Sequence, residues 1–318
     1  MKVAVIRNPV AGGAKAWPAT AHALSLVFPG YMLVETRPRQ TADQVREVLA
    51  EPFDLVLAVG GDGTVGPVVD GILSSNRPDT AFAFLPGGTG SDFSRNFRFP
   101  SDVTARLKVI ADAQPRRIDV GLLQKRSMGD EVEWSHERHF INIASVGVSG
   151  AIVAGMDAAR GTSRLPHSLR YRLISMRHIL RHPGHGLRLV VDGGQVYAGP
   201  VLVAAIANGG WFGGGLHASP AARVDDGELN LVYAVDRGWF GNVKTFMAFA
   251  SERHVNHSKI HHCRGKVMEI EPWPQAISIE ADGELVQAGL GKNDQAFRIT
   301  ILPQALSVRL PDDWTSSD

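Results

Sequence analysis

A single cysteine, Cys263, in 318 residues excludes an intrachain disulfide framework and suits a reducing compartment. Long hydrophobic runs are missing too, so no segment qualifies as a membrane-spanning helix. The start, Met1-Lys2-Val3-Ala4-Val5-Ile6-Arg7, enters a strand at once and lacks the long apolar region and small-residue cleavage site of a signal peptide. A cytoplasmic location is the expectation. Charge of one sign is scarce as well: the net charge is +1, so the molecule is no general polyanion binder and no nucleic-acid partner is expected. There is no Gly-x-x-x-x-Gly-Lys-Ser/Thr, which removes the common P-loop kinase fold, and no Gly-x-Gly-x-x-Gly after the first strand, which argues against a dinucleotide oxidoreductase. One local shortage is informative. No acid occurs between Asp157 and Asp192, while Arg160, Arg164, Arg170, Arg172, Arg177, Arg181 and Arg188 crowd the same stretch, which could meet an anionic surface.

What is present fits an ordinary globular protein, with 44% apolar and 20% charged residues. The length suits two domains. The first third alternates strand-like runs (2–7, 31–36, 54–59, 81–85) with helix-like segments (15–27, 42–50, 65–74, 103–113). Such alternation implies a parallel sheet with helices on both faces. From about Pro115 the runs 117–123, 139–144, 187–192, 200–207, 228–235, 266–271, 276–281 and 297–302 read mostly as strands, with turns at Asp192-Gly193-Gly194, Asp226-Gly227 and Asp282-Gly283. An antiparallel sandwich follows, interrupted by helices near 167–181 and 240–250. The domains are placed at 1–122, the α/β domain, and 123–302, the sandwich.

Two glycine-rich turns carry the chemistry. Gly60-Gly61-Asp62-Gly63-Thr64 and Pro86-Gly87-Gly88-Thr89-Gly90-Ser91-Asp92-Phe93 each follow a buried, strand-like run, and open α/β sheets bind ligands at the carboxyl ends of their strands. Glycine lets main-chain N–H groups approach a phosphate, and Thr64 stands where a helix should begin and add its positive end. Asp62 would repel a phosphate unless a divalent cation lies between them, so it reads as acting through Mg²⁺. The plainer alternative is a tight strand-to-helix turn with a capping aspartate. A third polar turn, Asn8-Pro9-Val10-Ala11-Gly12-Gly13, ends the first strand.

These residues resemble the diacylglycerol kinase catalytic-domain family, which includes soluble bacterial lipid kinases and sphingosine and ceramide kinases, with NAD kinases as distant relatives. The likeness runs on through Phe140-Ile141-Asn142, Ala207-Asn208-Gly209, Gly213-Gly214-Gly215, Pro220 to Gly227, Asp282-Gly283-Glu284 and the ending Ile301 to Val308. It implies a two-domain NAD kinase/diacylglycerol kinase-like fold in which a C-terminal segment of about 303–318 returns to the first domain. It implies an ATP-dependent lipid kinase that phosphorylates a hydroxyl of diacylglycerol or a related lipid alcohol in a cleft between the domains. Nucleotide contacts would come from Asn8, Thr36, Gly60, Gly61, Asp62, Gly63, Thr64, Val65, Gly66, Gly88, Thr89 and Asp92, and Glu284 would be the base. Asp282 and Asp62 complete the implied catalytic set, with Asp92 and Asp119 as candidates for a carboxylate network around Mg²⁺. A structural Mg²⁺ is implied at Asp226 with the main-chain carbonyls of Arg223 and Glu228. The pattern departs from the family at Val65-Gly66-Pro67, where an Asn-Glu pair is usual, and at Ser91. An NAD-kinase-like activity and a nucleotide- or lipid-binding regulator remain alternatives.

In the arginine-rich stretch Leu169, Leu173, Met176 and Leu180 recur at helical spacing. They read first as the inward face of a helix with solvated arginines outside, and alternatively as a cationic amphipathic helix meeting anionic lipid. Trp211-Phe212 could line an acyl-chain pocket or pack in the core. His254, His257, His261, His262 and Cys263 match no standard zinc spacing. The sequence is compatible with an oligomer.

Overall fold

A computed structural model describes residues 1–10, 16–87, 91–126, 134–159, 167–182, 184–250, 259–273, 277–287 and 296–312. Of the sequence expectations, Gly12, Gly13, Gly88, Thr89, Gly90, Arg160, Arg164, Pro166, Pro183, His254 and His257 lie outside the described residues. Among the described residues no helix is long and apolar enough to cross a membrane.

The chain divides into two units. The first comprises Met1–Val120, Val224–Asp226 and the residues from Pro303 onward. It opens with β1 (Val3–Arg7), α1 (Trp17–Val27), β2 (Met32–Glu35), α2 (Thr41–Val48), β3 (Leu55–Gly60), α3 (Asp62–Leu73), β4 (Ala81–Pro86) and α4 (Val103–Asp112). The strands run parallel in the order β2-β1-β3-β4. Both faces are covered, which is why β3 and β4 are almost continuously apolar rather than alternating. Val3, Val5, Leu55 and Leu57 meet Leu24 of α1, Phe28 just after it, and Leu107 and Ile110 of α4. The intervening Ala4, Ile6, Val56 and Ala58 are also buried, and α2 and α3 pack together. Asp102 caps α4 by accepting the Ala105 N–H at 2.8 Å, the usual remedy for a helix's unpaired first-turn donors.

The second unit spans Gly121–Arg223 and Gly227–Leu302. Into it run β5 (Pro115–Arg126), β6 (Trp134–Phe140), β7 (Ile143–Gly147), α5 (Val148–Ala158), α6 (His167–Leu180), β8 (His185–Val191), β9 (Gly194–Ala207), β10 (Trp211–Phe212), β11 (Leu216–His217), β12 (Leu229–Val235), α7 (Gly238–Ala250), β13 (Ile260–Gly265), β14 (Val267–Trp273), β15 (Ile279–Ala281), β16 (Glu284–Gln287) and β17 (Phe297–Arg309). Its strand pairs are antiparallel. β9 is the longest strand and changes partner along its length: its first half pairs with β8 and its last residues with β7, while β12 lines its other edge. The sandwich core holds Leu123, Phe140, Val146, Leu189, Ile206, Leu231, Ile270 and Ile299. A separate apolar layer seats α5, α6 and α7 on Leu202, Val203, Val232 and Ala234. The fold is the expected one, a parallel α/β unit followed by an antiparallel β-sandwich. Strand β17 serves both units in turn, pairing with β14 through Phe297–Thr300 and with β4 through Val308 and Phe82.

Four local expectations change. Helix α3 starts at Asp62, inside the glycine turn rather than after Thr64, so Pro67 falls in its second turn and not its first. The run 139–144 is broken at Ile141-Asn142 into β6 and β7. Helix α5 occupies Val148–Ala158, where no helix was expected. The fourth change is the face that α6 buries. Leu169, Leu173 and Leu180 are exposed, and the helix packs through Tyr171, Ile174 and Ile179.

Candidate active site

In the first unit the residues of interest stand at the carboxyl ends of the parallel strands. Asn8 follows β1, Thr36 follows β2, Gly61 separates β3 from α3, and Gly87 follows β4. Asn8 and Thr36 are held by main-chain bonds, the Asn8 N–H donating to Val59 O at 3.0 Å and the Thr36 N–H to Arg7 O at 2.8 Å. The Asn8 side-chain amide donates to the Thr64 hydroxyl at 3.2 Å, joining the turn after β1 to the first glycine-rich turn. Gly60 is required by close approach, because a Cβ there would stand 2.3 Å from Thr64 Oγ1 and 2.6 Å from Thr64 Cβ. No L side chain fits at that separation.

Asp62 resolves differently from the sequence expectation. Its carboxylate accepts the main-chain N–H groups of Asp92 at 2.9 Å and Phe93 at 3.1 Å. A carboxylate at the amino end of the 3-10 turn Phe93–Asn96 is favoured by the same donors and dipole as at any helix start. It thereby ties the second glycine loop to the first. Phe93 supports this from below, buried against Phe84 and Phe97 with ring centroids 5.1 and 5.0 Å apart. Asp92 is itself buried, with Arg95 Nε 3.4 Å from its Oδ1.

The early start of α3 puts two of the expected nucleotide contacts inside the helix. Val65 and Gly66 are buried within the helix, and the Val65 N–H donates to Gly61 O at 3.1 Å. Thr64 is also buried and its N–H bonds Gly61 O at 2.8 Å. What the turn presents is the first-turn backbone of Gly61, Asp62 and Gly63, the donor end of α3.

In the second unit, three motifs far apart in the chain are knitted together. Asp282 lies at the turn between β15 and β16 with φ +50°, and its carboxylate accepts the N–H groups of Ile141 at 2.9 Å, Asn142 at 2.9 Å and Ile143 at 3.2 Å. The Asn142 carbonyl accepts the N–H groups of Asn208 and Gly209, both at 2.9 Å. Asn208 returns a side-chain bond to Ile141 O at 2.7 Å. Asp282 therefore fixes the turn, and burial pushes its carboxyl above the usual carboxylate range. Glu284 stays part-exposed and pairs with Arg138 Nη2 at 2.9 Å.

Glu280 is a further buried acid that the sequence did not flag. It accepts the Ser145 hydroxyl and, at 3.0 Å, the Gly283 N–H. Burial pushes it up to about 7. Arg138 was missed as well, since a lone arginine in a strand carries no motif.

Three other sets of candidate residues lie as follows. Asp119 is fully buried, its N–H donating to Val224 O at 2.6 Å and its carboxylate accepting the Gln304 N–H at 2.7 Å. Trp211-Phe212 and Leu216-His217 form a two-stranded hairpin about Gly213-Gly214-Gly215, with Trp211 stacked on His217 at 4.0 Å and Phe212 packed by Ile143 and Ala205. His261, His262 and Cys263 run along β13, and no metal-holding group of three His, Cys, Asp or Glu side chains exists among the described residues.

In the loop Arg223–Glu228 the donors suit a hard cation. The Glu228 carboxylate is occupied by Arg264 at 2.9 Å, leaving its carbonyl as the expected donor. Asp225 Oδ1 is buried with no hydrogen-bond partner. A buried carboxylate oxygen without a donor is costly, and a cation beside Asp225 and Asp226 would satisfy it.

A parallel α/β unit with glycine loops at its strand ends, followed by an antiparallel sandwich, defines the two-domain architecture of the diacylglycerol and NAD kinases. The diacylglycerol kinase catalytic domain matches residues 2–123, and the YegS C-terminal NAD kinase beta sandwich-like domain matches residues 142–310. The chain belongs to this family. It is 28% identical over 270 residues to a Chromohalobacter salexigens protein described as "Probable lipid kinase YegS-like", covering 84% of this chain and 79% of that one. It is 25% identical over 316 residues to the "Diacylglycerol kinase" of Mycobacterium tuberculosis, covering 98% and 95%. In fold it is similar to a Bacillus anthracis diacylglycerol kinase crystal structure, with TM-score 0.73 at 22% identity over 98% of this chain and 97% of that one. It is also similar to yeast NADH kinase, with TM-score 0.53 at 13% identity, covering 97% and 82%.

Proposed function

We propose that this protein is an ATP-dependent, Mg²⁺-requiring lipid kinase that transfers the γ-phosphoryl group to a hydroxyl of diacylglycerol or a related lipid alcohol. The observation that carries the reading is that the Asp62 carboxylate accepts the N–H groups of Asp92 and Phe93, tying the ends of the two glycine-rich turns together beside the donor end of α3, where a phosphate would bind. The names of the curated relatives supply the acceptor class.

In the reaction the acceptor oxygen forms a bond to the γ-phosphorus, the bond from that phosphorus to the β,γ-bridging oxygen breaks, and the acceptor proton passes to the Glu284 carboxylate. Such transfers need positioning and charge neutralisation more than covalent help. Gly61 to Gly63 would bind phosphate through main-chain N–H groups, with Gly88 and Thr89 from the second loop, and Asn8 and Thr36 at the neighbouring strand ends. Arg95 adds a cation beside Asp92. Mg²⁺, when bound, would supply charge neutralisation at the phosphates, and Asp92 together with Asp62, through the lone pairs that its two main-chain donors leave, would be the carboxylates to hold it. A second, structural Mg²⁺ would be held by Asp226 and the carbonyls of Arg223 and Glu228, with Asp225 as an added carboxylate.

The test is transfer of γ-labelled phosphate from ATP to a panel of lipid alcohols, sphingoid bases and NAD, with Glu284→Gln as control. Label in a lipid alcohol, lost in Glu284→Gln without loss of nucleotide binding, supports the reading. Label in NAD instead would move the protein to an NAD-kinase-like activity, and label in nothing despite nucleotide binding would make it a regulator.

A further inference from the structure

The hairpin turn Asp282-Gly283 and the side chain that follows it are fixed by different parts of the second unit. Asp282 and Gly283 both have positive φ, +50° and +77°, as a two-residue turn matched to strand twist requires. Ala281 and Glu284 close the ladder of β15 and β16 across it. The main chain of the turn is held twice over, since Asp282 accepts the N–H groups of Ile141, Asn142 and Ile143 and Glu280 accepts that of Gly283 at 3.0 Å. These bonds set the Glu284 backbone. They leave its side-chain torsions free, and a long acid on a part-exposed site loses rotamer entropy when it is aimed.

Arg138 supplies that missing constraint. It comes from β6, 146 residues away in sequence, and its Nη2 donates to Glu284 Oε2 at 2.9 Å. The two partners are unequal. The Arg138 side chain is 13% exposed and that of Glu284 39%, so the guanidinium is seated in the protein and the carboxylate is the open end. Among the described residues the carboxylate is bonded through Oε2, which leaves Oε1 open. The same guanidinium faces two more acids: burial pushes the Glu280 and Asp282 carboxyls up, and Arg138 opposes that shift in both. One cation thus answers three acids of one hairpin, and its hydrogen bond goes to the acid that reaches solvent.

We propose that Arg138 is a positioning residue for Glu284, holding Oε2 so that Oε1 faces the acceptor hydroxyl. The proposal rests on the reading of Glu284 as the base. In the transfer step the acceptor O–H bond breaks and its proton passes to Oε1, while the acceptor oxygen bonds the γ-phosphorus and ADP leaves with the bridging oxygen. Arg138 touches neither substrate. It acts through Glu284 alone.

The experiment is a double-variant cycle on the full chain, with wild type, Arg138→Met, Arg138→Lys, Glu284→Gln and Arg138→Met with Glu284→Gln. Label is followed from γ-labelled ATP to dioctanoylglycerol in detergent micelles and to the other acceptors of the panel. Methionine keeps the apolar stem and removes the charge. Arg138→Met should lower kcat by about tenfold to a hundredfold, as a misplaced group does, with the KM for ATP unchanged. Arg138→Lys should recover part of the loss, because an ammonium can replace a one-point contact although not a two-point fork. The double variant should be no slower than Glu284→Gln alone, since groups that act as a unit are not additive. Direct contact of Arg138 with phosphate would instead multiply the two losses, and that result overturns the proposal. So does a kcat per folded molecule, from melting curves, that Arg138→Met leaves at the wild-type value. Should Arg138→Met fail to fold, the same cycle is run with Arg138→Lys, and full additivity with Glu284→Gln there overturns it equally. Wild-type transfer with Arg138→Met unimpaired removes the positioning role alone, whereas a wild type that binds ATP and labels no acceptor removes the kinase reading and this role with it.

Discussion

The Asp62 carboxylate accepts the main-chain N–H of Asp92 at 2.9 Å across thirty residues of sequence. With the neighbouring bond from Phe93 it makes the two glycine loops one mechanical unit. Asp62→Ala should therefore cost about 2 kcal/mol in urea unfolding, the usual range for bonds to a charged group. Asp62→Asn keeps one acceptor but turns its NH₂ toward the second donor, so stability should fall less while Mg²⁺-dependent nucleotide binding falls as far. A fully stable Asp62→Ala variant would mean that the loops hold their places without this carboxylate.

Gly60 offers a sharper steric test. Its missing Cβ would stand 2.3 Å from Thr64 Oγ1 and 2.6 Å from Thr64 Cβ. Gly60→Ala should cost about 2 kcal/mol by forcing α3 away from β3. Adding Thr64→Ala removes the hydroxyl but not the Cβ contact, so the double variant should recover little of that stability. Full recovery would show that the hydroxyl alone sets the spacing.

Much of this was legible in the sequence because it is written in period and punctuation. The apolar runs before Gly60 and Gly87 are continuous because their strands are covered on both faces, and the glycines after them mark the loops. The failures have physical causes. Helix α6 carries two apolar stripes, one through Leu169, Leu173, Met176 and Leu180, the other through Tyr171, Ile174 and Ile179. Hydropathy ranks the leucine stripe higher, yet the core receives the second. The deciding feature lies on another element: a Cβ at Gly155 of α5 would come within 2.9 Å of both Ile174 Cγ2 and His178 Nε2, so a notch in α5 receives that face. Helix α5 itself was hidden by its glycines, which read as loop until something packs on them. At the site, Asp62 and Asp282 were visible as acids beside glycine, but their hydrogen-bond donors are main-chain groups, which leave no mark in a sequence.

Asp282 makes its own prediction. Three N–H donors converge on its carboxylate, and its φ of +50° is one that Asn tolerates better than Ala. Asp282→Ala should cost about 3 kcal/mol and loosen the turn that leads to Glu284. Asp282→Asn should be milder, since it fits the backbone and retains one acceptor. Equal loss in both would place the whole effect in the charge, and the unfolding curves separate the cases.

Glu280 sets a pH dependence whose sign can be worked out. Its carboxyl is fully buried and is pushed from an ordinary 4.5 to about 7, with burial the largest cause. Between those two values the unfolded chain has released a proton that the folded chain still holds, so raising the pH favours unfolding. The stability is fully present below pH 4.5 and is lost as pH rises through about 7, a loss on the order of 3 kcal/mol. Glu280→Gln removes the titration while keeping both contacts: the amide NH₂ can donate to the Ser145 hydroxyl and the amide oxygen can accept the Gly283 N–H. The variant should match or fall below wild type at pH 4.5 and exceed it above pH 7 in urea unfolding. Some decline with pH should survive in it, because Asp282 is shifted in the same direction by its own burial. An unchanged pH profile would mean that Glu280 is already ionised at neutral pH, with Ser145 and Gly283 stabilising the charge against its surroundings.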